Sequence, residues 1–349
     1  ENNSIWLGND PSSSTSTAEQ NVAVGTTALD AITTGDKNTA IGYNALTANT
    51  TADFNVAVGR GAMTTNTTGA GNTAVGTASM DGNSTGNYNT AVGYNSLLTN
   101  STAANNTAVG YNALSLNTTT ADNTAVGRSA LANNVAANNT AVGKSALAEN
   151  TTGTGNVAVG ALALDASTTY NNNTAIGYKA LTAFGPSGAS DGHNIGVGME
   201  SLMSLTTGSY NTGVGGRTQT NSTTSDYNVS LGYATLLETT TGSNNTAVGH
   251  KALLNNTTGV RNVSIGKESL DANTTGGDNV AVGTSALGAN TTASNNVAVG
   301  YLAMAANTTG TANTGSGYGA LNSNTTADNN TAFGFSALIA TTTGPANTD

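Results

Sequence analysis

Short apolar runs recur along the whole chain, and each closes on a glycine. Val22-Ala23-Val24-Gly25, Thr39-Ala40-Ile41-Gly42 and Val56-Ala57-Val58-Gly59 open a series that reaches Thr331-Ala332-Phe333-Gly334. Successive glycines lie 17 residues apart, with a step of 16 before Gly143 and of 21 before Gly198. From Gly8 to Gly334 this makes twenty copies without a linker. The chain therefore reads as one continuous repeat array over residues 1–349, with a loop insertion near 184–193 and a short coil near 128–143.

Counting each copy from its glycine as position 0, −4 is Asn in every copy but the first, which has Ser4. Position −3 is β-branched (Thr39, Val56, Ile195), −2 is small except at Trp6, and −1 is a large aliphatic or Phe333, with Ser316 the exception. Position +4 is Leu or Met except at Ser12 and Gln219, and most copies carry Thr-Thr or Ser-Thr at +8 and +9. Alternation from −4 to 0 with β-branched residues is strand chemistry. No apolar period of 3.6 is sustained long enough for a helix. The odd step from −1 to +4 requires a bend just after the glycine, which glycine permits, and a second bend is implied at Asn-Thr-Thr-Gly.

The pattern predicts an all-β fold, a parallel β-solenoid of about 20 coils of 17 residues. Each coil would rest one strand spacing (about 4.8 Å) on the last, giving a rod roughly 95 Å long. Val58, Val75 and Val92 should then lie directly over one another. The expected core consists of −3, −1 and +4. The small −2 and 0 positions (Ala57, Gly59) would form an outer face at which a second protomer packs. Asn at −4 reads either as a ladder, each amide bonding to the coils above and below, or as a turn residue. Thr-Thr reads as a turn closure or hydroxyl ladder.

Composition narrows the function. Charged residues are only 8% of the chain, and 19 acids against 9 Lys and Arg give a net charge of −10. That balance offers no basic footprint for nucleic acid. No apolar stretch approaches the ~18 residues that cross a bilayer, so no membrane insertion is expected within this segment. The absence of Cys rules out disulfides and thiolate metal sites. The start at Glu1 and the incipient unit at Asn347-Thr348 read as a processed form or a segment cut from a longer array.

Units such as Asn106-Thr107-Ala108-Val109-Gly110-Tyr111-Asn112-Ala113-Leu114 and Asn139-Thr140-Ala141-Val142-Gly143-Lys144-Ser145-Ala146-Leu147 resemble the head repeats of trimeric autotransporter adhesins. Similar units occur in phage tail-fibre proteins. The resemblance covers essentially residues 4–349. It implies a left-handed parallel β-roll, three rolls side by side in a homotrimer, and adhesion to cells, matrix or glycans from a bacterial surface or a virion fibre.

Candidate recognition residues gather at +1. Tyr43, Tyr94, Tyr111, Tyr178, Tyr233, Tyr301 and Tyr318 share that stripe with Arg60, Arg128, Lys144, His250 and Lys267. Aromatics beside cations can stack on sugars or hold an acidic partner; equally, they can be amphipathic protomer contacts. The insertion, with Phe184, Pro186, Asp191 and His193, reads as a recognition loop or as a tolerated bulge. Ser190, Asp191 and His193 are not read as a triad merely for sitting together, because a triad needs a geometry that adjacent residues rarely supply. Asp36, Asp53, Asp226 and Asp328 fall at −6 without the glycine-and-Asp motif of calcium-binding rolls, and read as turn carboxylates. No catalytic residue, metal site or cofactor is expected. The expected function is a non-enzymatic extracellular fibre or adhesin segment, with self and a host-surface protein or glycan as partners. An ice- or crystal-surface binder, or a purely structural filament, is the alternative.

Overall fold

The computed structural model describes residues 3–8, 17–185, 191–340 and 342–343. The chain forms two compact units, Glu1–Asn172 and Asn173–Asp349. Among the described residues each unit carries ten short strands and no helix, from β1 (Ile5–Gly8) to β10 (Val157–Val159) and from β11 (Thr174–Ile176) to β20 (Thr331–Phe333). Within each unit consecutive strands pair in parallel, one per 17-residue coil. Val58 pairs with Val75 and Val75 with Val92, as vertical register demands. The fold is a β-solenoid.

The inside and outside of the strand are the reverse of the expectation from hydrophobicity. Ala at −2 is fully buried (Ala40, Ala57, Ala74), while −3 and −1 face out and are half-exposed or exposed. Ile41 is 39% exposed and Leu231 48%. The core is built from −2, from +3 and +4 (Ala45 and Leu46, Ala62 and Met63), and from Asn at −4 and +7 (Asn38, Asn49). The reason is volume. A coil this narrow accommodates one Leu and two Ala per turn, and two inward β-branched side chains would overpack it. The small −2 residues therefore belong to each coil's own core, not to an exposed protomer face.

Where another coil follows, position 0 is closed to any side chain. Gly59 has φ 140°, and a Cβ there would stand 2.4 Å from the carbonyl oxygen of Gly76 in the next coil. After the glycine the chain turns through left-handed residues at +2 and +4, such as Asn44 (φ 57°) and Leu46 (φ 53°). Leucine rarely adopts this conformation. Here its side chain is fully buried and its N–H donates to Ala62 O at 2.9 Å in the next coil. Burial and the inter-coil bond together hold the geometry.

Asparagine closes each coil and links it to the next. The Asn38 amide donates to Ala52 O within its coil (2.9 Å), while its Oδ1 accepts from the backbone N of Asn55 (3.0 Å). The −4 ladder is thus real, but it runs from side chain to backbone as much as from amide to amide. A second ladder at +7 joins Asn49, Asn66, Asn83 and Asn100 through amide–amide bonds of 2.7–3.1 Å. In most coils where +8 is Thr or Ser its hydroxyl builds a third, donating to the +8 carbonyl one coil on, as Thr67 does to Ser84 (3.1 Å) and Thr257 to Thr274 (3.0 Å).

Candidate functional site

With −4 and −2 turned inward, the surface above each strand is made of odd positions. Rows −3 and −1 form its centre, and −5 and +1 its exposed margins. The +1 stripe is exposed as a row: Tyr43, Tyr94, Tyr111, Tyr178, Tyr233, Tyr301 and Tyr318 are each about half exposed, between 48% and 52%.

Stacking of coils stacks the rings. Tyr94 lies on Tyr111 (5.5 Å), Tyr233 on His250 (5.8 Å), and Tyr301 on Tyr318 and then Phe335 (5.3 and 4.9 Å). Such offset aromatic contacts contribute roughly 0.5–1.5 kcal/mol each beyond area burial. Arg128 and Lys144 are exposed in consecutive coils, Lys267 lies 3.6 Å from Glu268, and Lys179 sits over the Tyr178 ring. Tyr43 and Arg60 share one groove with Asn44, Gly61, Thr64, Ala78 and Asp81, of about 310 Å³.

The insertion does not act as one unit. Phe184 is fully buried at +7, filling the place of a ladder Asn, and offers nothing to a ligand. Pro186 and Ser190 lie outside the described residues. Asp191 stands 3.7 Å from His193, whose ring stacks on Tyr210 (5.1 Å), which in turn stacks on Tyr227 (5.1 Å). These three rings belong to −5, a second aromatic row that also carries Phe54, under Lys37, and Tyr88. Sequence reasoning missed this row, although the recurrence of Tyr88, Tyr210 and Tyr227 at one offset was there to be read.

The acidic residues at −6 are bound into the backbone. Asp36 accepts the N–H of Glu19, Asp53 that of Asp36 and Asp226 that of Ser209, each at 2.7 Å. Asn87 and Asn171 serve the same role. The carboxyl of Asp328 is held below the usual range because it accepts the N–H and then the hydroxyl of Thr311. Asp278 is likewise lowered by its hydrogen bonds from Arg261. Asp271 is raised, chiefly by burial. Among the described residues no three His, Cys, Asp or Glu converge as a metal would require, and no helix is long and apolar enough to cross a membrane. No protein-family model matches the chain, and no curated protein matches it.

Proposed function

We propose that the chain is a non-enzymatic, extracellular fibre or adhesin segment. It spaces and presents a repetitive surface, and it associates with copies of itself as a homotrimer. One observation carries this reading. Among the described residues the coils bury −2, +3 and +4, yet most still leave two β-branched or aliphatic side chains, at −3 and −1, partly in water, as Thr73 and Val75 are. Continuous exposed apolar patches beyond a few hundred Å² mark interaction surfaces in soluble proteins. The parallel rows present similar, mostly β-branched or aliphatic residues at one spacing, which suits packing against a like surface.

The non-enzymatic reading is supported by the arrangement of the titratable groups. The two histidines stand in different rows, His193 at −5 and His250 at +1, and the carboxylates at −6 are engaged by backbone N–H groups. The net charge of −10 disfavours nucleic acid. The proposed setting is a bacterial surface or a virion fibre, with a host-surface protein or glycan as the attached partner. Light scattering on the purified chain tests the assembly. The expected mass is about three times 34.2 kDa, and a monomer at micromolar concentration overturns the trimer.

One observation favours a second reading, an ice- or crystal-surface binder. Rows −3 and −1 are parallel and outward, about 4.8 Å apart between coils and about 6.7 Å apart along the strand. Such a regular two-row face can order water or match a lattice. The outward −1 row is aliphatic and hydroxyls occupy only part of −3, which favours protein contact. Thermal hysteresis at millimolar protein would decide for the lattice, and its absence against it.

A further inference from the structure

The groove beside Tyr43 and Arg60 differs from the rest of the +1 margin. At +2 most coils carry a side chain of some size, such as Asn44, Asn95, Asn112 or Lys179. Here two consecutive coils have Gly61 and Ala78 instead, and the missing side chains open the groove. A Cβ on Gly61 would meet only the Thr64 methyl group, at 3.7 Å, so this glycine is not demanded by packing. Its φ of 65° is close to that of Asn44 (57°) and Asn95 (52°), so the backbone does not require glycine either.

Chemistry converges on that opening. Tyr43 presents a half-exposed ring, and the neighbouring Arg60 guanidinium is exposed and has no ion pair or side-chain hydrogen bond among the described residues. The backbone beneath both is tied to the next coil, since Gly61 N donates to the Tyr43 main-chain O (2.9 Å) and Ala78 N to the Arg60 main-chain O (3.0 Å). Asp81 lines the same groove and accepts the Thr64 hydroxyl, leaving carboxylate lone pairs for further donors. The Oδ1 of Asn44 accepts from Thr27, leaving its amide hydrogens free among the described residues.

From this we infer that the groove is a subsite for a singly anionic saccharide, a sugar ring bearing one carboxylate. The inference rests on the attachment reading above. The guanidinium fork matches a carboxylate through two parallel hydrogen bonds. The tyrosine ring takes the C–H face of the sugar, while Asp81 and Asn44 take hydroxyls. The volume lies at the lower end of the roughly 300–1,000 Å³ usual for small-molecule sites, which suits one or two rings. Asp81 and the net charge of −10 oppose a sulfated or phosphorylated polyanion. A single carboxylate at Arg60 escapes most of the repulsion from the more distant acids, because charges beyond about 8 Å are screened at physiological salt, and it meets only Asp81 within the groove.

Saturation-transfer NMR on the full chain, with sodium D-glucuronate, N-acetylneuraminate and D-glucose in turn at about 0.15 M salt, where the Debye length is about 8 Å, tests this. At least one acidic sugar should show several-fold more transfer than glucose. Arg60→Gln should bring it down to the glucose level. Gly61→Asn with Ala78→Asn, which restores the residue found at +2 elsewhere, should abolish it while leaving the circular dichroism unchanged. Lys251→Gln, a cation at +2 that lies outside the groove and outside the +1 stripe, should change nothing. Equal transfer to glucose, survival of the signal in the filled variant, or loss of it in Lys251→Gln overturns the subsite. So does binding of an acidic peptide with no acidic sugar bound. Retention on glycan-coated surfaces that persists in the filled variant overturns the groove but leaves the attachment reading standing. A wild-type chain retained on no glycan or matrix surface overturns both.

Discussion

At the scale of single residues, the exceptions to the repeat show what each position does. Gln219 stands where other coils have Leu or Met, and it is fully buried. Its Nε2 donates to the Ser230 hydroxyl (2.8 Å) and to Thr212 O (3.3 Å), and Ser230 in turn replaces the usual Ala at −2. Its Oε1 has no partner. An unsatisfied buried acceptor costs about 1–3 kcal/mol. Gln219→Leu matches the Leu202 and Leu236 of the flanking coils, and Ser230 keeps its own bond to Thr212 O. This substitution should therefore stabilise the chain by about 1–2 kcal/mol. A urea midpoint that falls in the variant would show that the polar pair is worth more than the apolar column.

At the scale of the coil, stability comes from repetition of a few bonds more than from hydrophobic bulk. The −6 acceptors illustrate this, because carboxylate and amide occupy the same place with the same geometry. Asp328 has a lowered pKa owing to Thr311. Its contribution is therefore complete above the unfolded value, about 3.9, and is lost as pH falls through the folded one. Asp271, raised by burial, has the opposite sign and opposes stability once it ionises. Asp328→Asn keeps the acceptor that Asn87 and Asn171 already provide, and removes the titration. Its melting temperature should fall less than that of the parent chain between pH 5 and pH 2, spanning ~3.9, as read by circular dichroism. Equal losses would mean that Asp328 carries no acid-sensitive stability. The register itself was legible in the sequence, because identical residues recur at a fixed interval and like stacks on like. The left-handed Leu at +4 was not, since no local propensity predicts it, and burial of its side chain together with the inter-coil bond from its N–H accounts for it.

For the whole molecule the question is what covers the −3 and −1 rows. Paired lysines at Val92 and Val109, adjacent outward positions of consecutive coils, leave the core untouched. In a self-associated chain they would be forced together across a desolvated contact. The double variant should keep the circular dichroism of the parent and sediment at lower mass. If the parent is an oligomer and the variant remains one, the contact lies elsewhere and the exposed rows have another purpose. The margins at −5 and +1 are separable from that test, since their rings and cations lie at the edges of the strand face.

The period, the parallel stacking and the bend at glycine were all determined by the sequence, because a 17-residue repeat with one invariant Gly and one near-invariant Asn admits little else. Which face of the strand turns inward was decided only by the tertiary structure. Hydrophobicity favoured Val over Ala for the core. But a coil closed by 17 residues has a fixed and narrow interior, and the carbonyls of its own turns need the Asn amides inside it. Volume and hydrogen bonding together outweigh the gain from burying two β-branched side chains, and so the aliphatic rows are left outside.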